Sequence, residues 1–371
     1  MRRVIGCAVL GLIGFVAAVG LIIIVLVGSD VPNKALNPFE GFWLRLTIAA
    51  NTARLNSAVA PTDQATVRFA VDKGQGAAAI GANLAAQGLI ADADLFRTYV
   101  RYTGLDSNLQ AGLYLLRRSQ TIPEIARALT NSGASIASIR VIEGQRLAEI
   151  IQTINATPNL AFSGGDFLAV VQGQGVPAAF LSSVGAPPGA SLEGFLFPAT
   201  YQVALDTSAV GLRDKMLAAF NASLDAQARA DAARQGLTLY QVVTLASIVE
   251  REAVVADERP VIAGVYLNRL RLPMTLDADP TIQYALGIQR DGKSWWPQIT
   301  QADYRSVISP YNTYLNAGLP PSPISNPRQA SILAVIYPRT SNFLFFRASC
   351  AGDGRHQFAE SFQQQVNNAC P

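Results

Sequence analysis

Apolar residues run unbroken from position 4 to 27 behind Arg2 and Arg3, and only then does the chain become periodic. That run exceeds the ~20 apolar residues that cross a bilayer as a helix. It is also longer than the ~7–15 apolar residues of a signal peptide. Residues 1–30 therefore read as a cytoplasmic tip and uncleaved single-pass transmembrane anchor. The two arginines stay inside, and the bulk of the chain is extracytoplasmic. A long cleaved signal is the alternative. Residues 31–64 hold Pro32, Pro38 and Pro61 and an aromatic patch around Phe39, Phe42 and Trp43. They predict a juxtamembrane linker with a short amphipathic helix, its Trp43 at the membrane interface or packed on the first domain.

Beyond the linker the periods change. Alternation over residues 66–71 predicts a strand, and Gly74 and Gly76 turn it into a helix over 77–87. Leu95, Phe96, Tyr99 and Val100 are spaced as a second helix over 93–102. Residues 109–116 read as a returning strand, and Thr121 with Pro123 opens a helix over 122–129. This strand–helix–helix–strand unit defines a small α/β subdomain at 65–135. A second domain, 136–371, starts with a strand over 136–142 and a helix over 147–154. It continues through helical pieces within 165–182 and an Ala-rich helix over 209–235. Glu193 and Gly194 lie among bulky apolar residues, where the glycine predicts close backbone approach. A helix from Thr238 is almost wholly apolar over 242–249 and then presents Glu250 and Glu252. A helix at 260–270, a turn at 276–281 and a hairpin of 343–347 with 354–358 complete an α+β class.

Composition narrows the chemistry. A net charge of +3 on 371 residues is too mild to argue for nucleic acid. One histidine, three cysteines and no CxxC exclude a zinc site, and no cofactor is implied. Ser247 lacks a GxSxG elbow, and no phosphate loop is present. Cys350 and Cys370 form a disulfide in an exported chain or stay as two free thiols. Carboxylate chemistry remains. A carboxylate ending a buried apolar run is costly to desolvate, which raises its pKa and suits a general acid. The plainer reading is that the helix surfaces at Val249 and both glutamates are solvated.

Five ordered stretches then carry a resemblance: Glu193-Gly-Phe-Leu-Phe-Pro, Ala246-Ser-Ile-Val-Glu250-Arg-Glu252, Asp279-Pro-Thr281, Ser309-Pro-Tyr-Asn-Thr-Tyr314 and Gly318-Leu-Pro-Pro321. Together they resemble the MltG (YceG-like) endolytic murein transglycosylases over roughly residues 65–368. The resemblance implies a LysM-like subdomain at 65–135 and a catalytic domain at 136–371. It implies cleavage of nascent peptidoglycan strands between N-acetylmuramic acid and N-acetylglucosamine, leaving 1,6-anhydro ends and terminating elongation, with wall synthases as candidate partners. By motif match it assigns Glu250 as the catalytic acid, which then acts as base on the C6 hydroxyl. Glu193, Glu252, Asp279, Thr281, Tyr311, Asn312, Tyr314 and His356 become binding or supporting candidates. No metal is implied. Ala199 and Ser322 depart from the family pattern, and a later histidine is absent.

Two other readings compete. A non-catalytic glycan-binding scaffold would not need an acid on an apolar helix. A glycoside hydrolase would need a second carboxylate ~5–5.5 Å away for retention or ~6.5–9.5 Å away for inversion. Glu193 and Asp279 are the nominees.

Overall fold

The computed structural model describes Gly20 and residues 31–131, 136–290 and 292–370. The anchor expected at 1–30 lies outside the described residues apart from Gly20. Among the described residues no helix is long and apolar enough to cross a membrane. The described residues form a mixed α+β structure with three two-stranded sheets, and the chain divides into two compact units at Ile136/Ala137.

In the first unit, β1 (Thr66–Val71) pairs antiparallel with β2 (Gly112–Arg117), setting Phe69 opposite Tyr114. Both side chains are buried, as are Val71 and Leu116 on the same face. Helices α1 (Pro38–Ala50), α2 (Ala77–Ala86), α3 (Ala93–Thr103) and α4 (Ile122–Ala128) complete the unit. Asp92 caps α3 by accepting from Leu95 N, and Thr121 with Glu124 forms a capping box on α4. Ile80, Leu84, Phe96, Val100 and Ile125 fill the space over the sheet. Helix α1, in the segment expected as linker, packs against α3 and is tied by Arg101–Glu40 at 3.2 Å. Its Phe39, Trp43 and Leu46 remain exposed.

The second unit opens with β3 (Ile136–Arg140), whose partner β4 (Thr200–Ala204) arrives only after α5 (Leu147–Ala156), α6 (Gly164–Val171) and α7 (Ala178–Val184). The single helix expected over 209–235 is two, α8 (Ala209–Ser223) and α9 (Ala226–Arg234). Asp225 starts the second by accepting from Ala228 N at 2.7 Å. Helix α10 (Leu239–Glu252) follows, opened by a Thr238/Gln241 capping box and buried from Leu239 to Glu250 at every position except Gln241. It is enclosed by α9, α11 (Arg259–Arg271), α12 (Asp279–Leu286) and α13 (Gln329–Ile336). A helix surrounded on all sides is apolar all round. Phe195 anchors a neighbouring aromatic cluster with Phe180, Phe220 and Tyr240, at centroid distances of 5.4, 5.0 and 5.9 Å. Beside it Gly194 has φ +90°, and a Cβ there would meet Pro323 Cβ at 2.5 Å. The hairpin of β5 (Phe345–Ala348) and β6 (His356–Ala359) ends the unit with α14 (Phe362–Asn367). Cys350 and Cys370 are joined as a disulfide.

Candidate active site

The two carboxylates at the end of α10 meet different surroundings. Glu250 points into packed protein, its side chain 2% exposed. It accepts from Arg328 Nε at 2.8 Å, Arg328 N at 3.1 Å and Ser331 Oγ at 2.7 Å. Arg328 is the residue before α13, so Glu250 lies at that helix's N-terminus. A guanidinium and a helix N-terminus both favour negative charge. The arrangement clamps α13 to α10 and occupies both carboxylate oxygens.

Glu252 opens instead on a polar cavity of about 270 Å³. Arg269, Asp277, Asp279, Tyr314, Arg347 and His356 share its walls. Tyr266 OH donates to Glu252 Oε1 at 2.9 Å from the facing helix α11. Burial pushes the Glu252 carboxyl up to about 7, and the nearby negative charge of Asp279 adds to the rise. The Tyr266 hydrogen bond and the charges of Arg251 and Arg269 act against it. A carboxyl in this range holds a proton for much of the time near neutrality, as general acid catalysis requires.

Each remaining wall is built by a local device. Asp279 opens α12 and accepts from Tyr314 OH at 2.6 Å. The Tyr314 ring stacks on Tyr304 at 4.3 Å, and burial raises its phenol well above the ordinary range. Asp277 adopts φ +48° in the turn before α12, held there by Arg269 Nη1 at 3.1 Å. Asp is one of the few residues that tolerates this region. Arg269, 7% exposed, also donates to Leu344 O and Leu276 O, which fixes the hairpin against α11. His356 enters from β6, with its Nδ1 2.8 Å from Glu258 Oε2.

Of the residues nominated from sequence, Glu252, Asp279, Tyr314 and His356 come together here. The others lie elsewhere. Glu193, buried at 3% exposure, takes Leu147 N at 2.9 Å at the start of α5 and Asn326 Nδ2 at 3.0 Å. Burial pushes it up to about 8, against the pull of those donors, Arg146 and Tyr284. Asn312 is fully buried and spends its amide on the backbone of Tyr304, Val307 and Tyr314. Thr281 bonds Ala278 O and Thr313 Oγ1 beneath the turn. Tyr311 pairs with Ser322 Oγ at 2.7 Å and packs on Tyr284. Trp295 and Trp296 gather around cations: Arg146 lies 3.9 Å over Tyr284 and 5.2 Å from Trp295, and Arg251 lies 3.9 Å over Trp296.

Sequence reasoning misses Tyr266, Arg269, Glu258, Tyr304 and Arg347. One signal was present: Tyr266 and Arg269 stand three apart on one helix, hence on one face. The others come from separate segments of the chain and carry no spacing that joins them.

A profile of the YceG-like family matches residues 69–370. An endolytic murein transglycosylase of Bacillus subtilis (strain 168) is 30% identical over 303 residues, spanning 78% of this chain and 80% of that protein. An endolytic murein transglycosylase of Streptococcus pneumoniae (serotype 2, strain D39) is 30% identical over 321 residues. That alignment spans 81% of this chain but 57% of the streptococcal protein. Among solved structures, a yceG-like protein from Listeria monocytogenes aligns with a TM-score of 0.56 and 29% identity. It covers 81% of this chain and 98% of that one.

Proposed function

The chain belongs to the YceG-like family, and from that premise we propose that it is an endolytic murein transglycosylase, a lyase acting on peptidoglycan glycan strands. The cut falls between N-acetylmuramic acid and N-acetylglucosamine and leaves a 1,6-anhydro-muramic end, which ends elongation of the strand. The observation that carries this reading is the polar cavity onto which the half-buried Glu252 carboxyl opens, pushed up to about 7.

We assign the acid to Glu252 rather than Glu250. Glu252 faces open, polar space, whereas Glu250 is consumed by Arg328 and Ser331. Protonated Glu252 donates to the glycosidic oxygen as the bond to C1 breaks. The muramic C6 hydroxyl closes on C1, so no water nucleophile is required. Tyr266 orients the acid, and burial holds its proton, with the negative charge of Asp279 adding to the effect. Arg269, Tyr314 and His356 offer hydrogen bonds to sugar hydroxyl and acetamido groups. The test is digestion of uncrosslinked glycan with the full chain, followed by mass analysis of the ends. Anhydro ends are expected, and reducing ends would replace the lyase with a hydrolase.

The same reading places the catalytic unit outside the cell on a single-pass anchor, with wall synthases as partners and the first unit as a LysM-like glycan-binding module. The uncharged run at 4–27 supports the anchor. So does the exposed stripe of Phe39, Trp43 and Leu46 on α1, at 58%, 53% and 45% exposure, which suits a membrane interface.

A further inference from the structure

We propose that His356, oriented by Glu258, is the base that takes the proton from the muramic C6 hydroxyl, so that acid and base are two residues rather than one carboxyl used twice. The inference rests on the transglycosylase reading above. It starts from a pairing that the acid step does not use. Glu258 is 5% exposed and sends both oxygens to one residue: Oε1 accepts from His356 N at 3.0 Å, and Oε2 lies 2.8 Å from His356 Nδ1. An ionised carboxylate only accepts hydrogen bonds, so the proton between them belongs to Nδ1. In the neutral ring Nε2 then carries the lone pair. That nitrogen has no protein partner among the described residues, and the ring forms part of the wall of the cavity that Glu252 opens on. Phe346 packs edge-on against the ring at 5.2 Å and fixes its plane. A base whose second nitrogen is held by a third group follows the logic of an activated base–orienter pair.

The charged and titratable groups around His356 come from several elements. Glu252 lies on α10, and Arg269 and Tyr266 on α11. Asp277 and Asp279 lie in the turn into α12, Tyr314 in the following loop, and Arg347 on β5. Arg355 sits 4.0 Å from Glu258 and is itself paired with Asp257. Asp279 is already engaged, since Tyr314 OH donates to it at 2.6 Å.

The step balances without a co-reactant. Glu252 gives its proton to the departing 4-oxygen of N-acetylglucosamine, and the C1–O4 bond breaks with its electron pair on that oxygen. O6 forms the new bond to C1 and its proton passes to Nε2. Glu258 stabilises the resulting imidazolium and is thus a positioning residue. When the products leave, the imidazolium proton returns to the Glu252 carboxylate through solvent, and both groups are reset.

The experiment measures kcat and KM of the full chain on uncrosslinked glycan from pH 4.5 to 9, with His356→Gln, His356→Ala and Glu258→Gln. The native profile is expected to be bell-shaped. His356→Gln should lose about 10²–10³-fold in kcat, keep KM within about threefold, and lack the acidic limb. His356→Ala should recover activity with added imidazole, in proportion to its unprotonated fraction. Glu258→Gln should lower kcat while KM stays within about threefold, because the ring loses the carboxylate that orients it. A His356→Gln variant that keeps kcat within threefold and the native profile would overturn the proposal. So would a loss in His356→Ala that imidazole does not restore. If the native chain itself yields reducing ends, the transglycosylase reading fails first, and the product analysis separates the two failures.

Discussion

A helix of 3.6 residues per turn sets Glu250 and Glu252 ~200° apart, so two adjacent carboxylates serve opposite ends. Glu252→Gln is expected to lower kcat about 10²–10⁴-fold while the melting temperature stays within a few degrees. Glu250→Gln should do the reverse. It leaves Arg328 and the start of α13 without their anion, costing about 1–3 kcal/mol in urea unfolding, while activity stays within tenfold. The opposite pattern would return the acid to Glu250. Glu193 gives a second outcome at this scale. Its carboxyl is pushed up to about 8 in the folded chain from an ordinary 4.5. The folded state therefore holds a proton that the unfolded state releases between those values. That stability is complete below about 4.5 and is lost as pH rises through about 8. Glu193→Gln should flatten the difference in unfolding free energy between pH 5 and 8 by about 1–4 kcal/mol; an undiminished slope would show that another group carries it. Glu252, Asp279, Tyr314 and His356 are legible in sequence as candidates because their types and motif positions single them out. The order of Glu250 and Glu252 is not, since the run 242–249 before them is buried throughout and has no polar face to read.

At the scale of elements, local signals carry the helices and fail where distant pieces meet. Thr238 and Gln241 announce α10 before any contact is known. Asp225 is as good a cap, yet the alanines on either side conceal the break between α8 and α9. The partner of β3 lies beyond three helices, and no pattern in residues 136–142 names Thr200–Ala204 as its neighbour. The cavity has the same difficulty: its walls come from α10, α11, the turn before α12, the Tyr314 loop and a hairpin some hundred residues downstream. Gly194 is the exception, because a lone glycine among Leu, Phe and Pro has few other uses. Its φ of +90° and the 2.5 Å approach of Pro323 leave no room for a methyl group. Gly194→Ala should cost about 2–5 kcal/mol, from left-handed strain plus overpacking. The loss should also reach activity, since the loop after Pro323 is pinned to α10 by Ile324 N on Ser247 Oγ at 3.0 Å. A variant as stable as the parent would mean that this loop is free to shift.

For the whole molecule, the C-terminal tail acts as a brace for the cavity beside Glu252. The Cys350–Cys370 disulfide closes a separation of 20 residues and holds the tail on the β5–β6 hairpin. Within that loop α14 reaches back, with Gln365 Nε2 donating to Phe346 O at 2.9 Å and Arg347 Nη1 donating to Gln365 O at 3.2 Å. Arg347 and His356 both lie on the cavity wall, so the crosslink supports the residues that the mechanism needs. A disulfide also fits the oxidising exterior to which the anchor reading assigns this unit. Closing a loop of this size constrains the unfolded chain by about 3 kcal/mol. For a unit of this size that corresponds to a melting shift of roughly 6–12 °C. Cys350→Ser/Cys370→Ser should show that fall without added reductant. The native chain should match it only when reductant is added, and the double variant should not respond to reductant at all. Activity at 25 °C should survive in both, because Arg269 still ties the hairpin to α11 through Leu344 O. A native chain whose melting ignores reductant would mean that Arg269 and the Glu258–His356 contacts hold the hairpin over Glu252 without help from the crosslink.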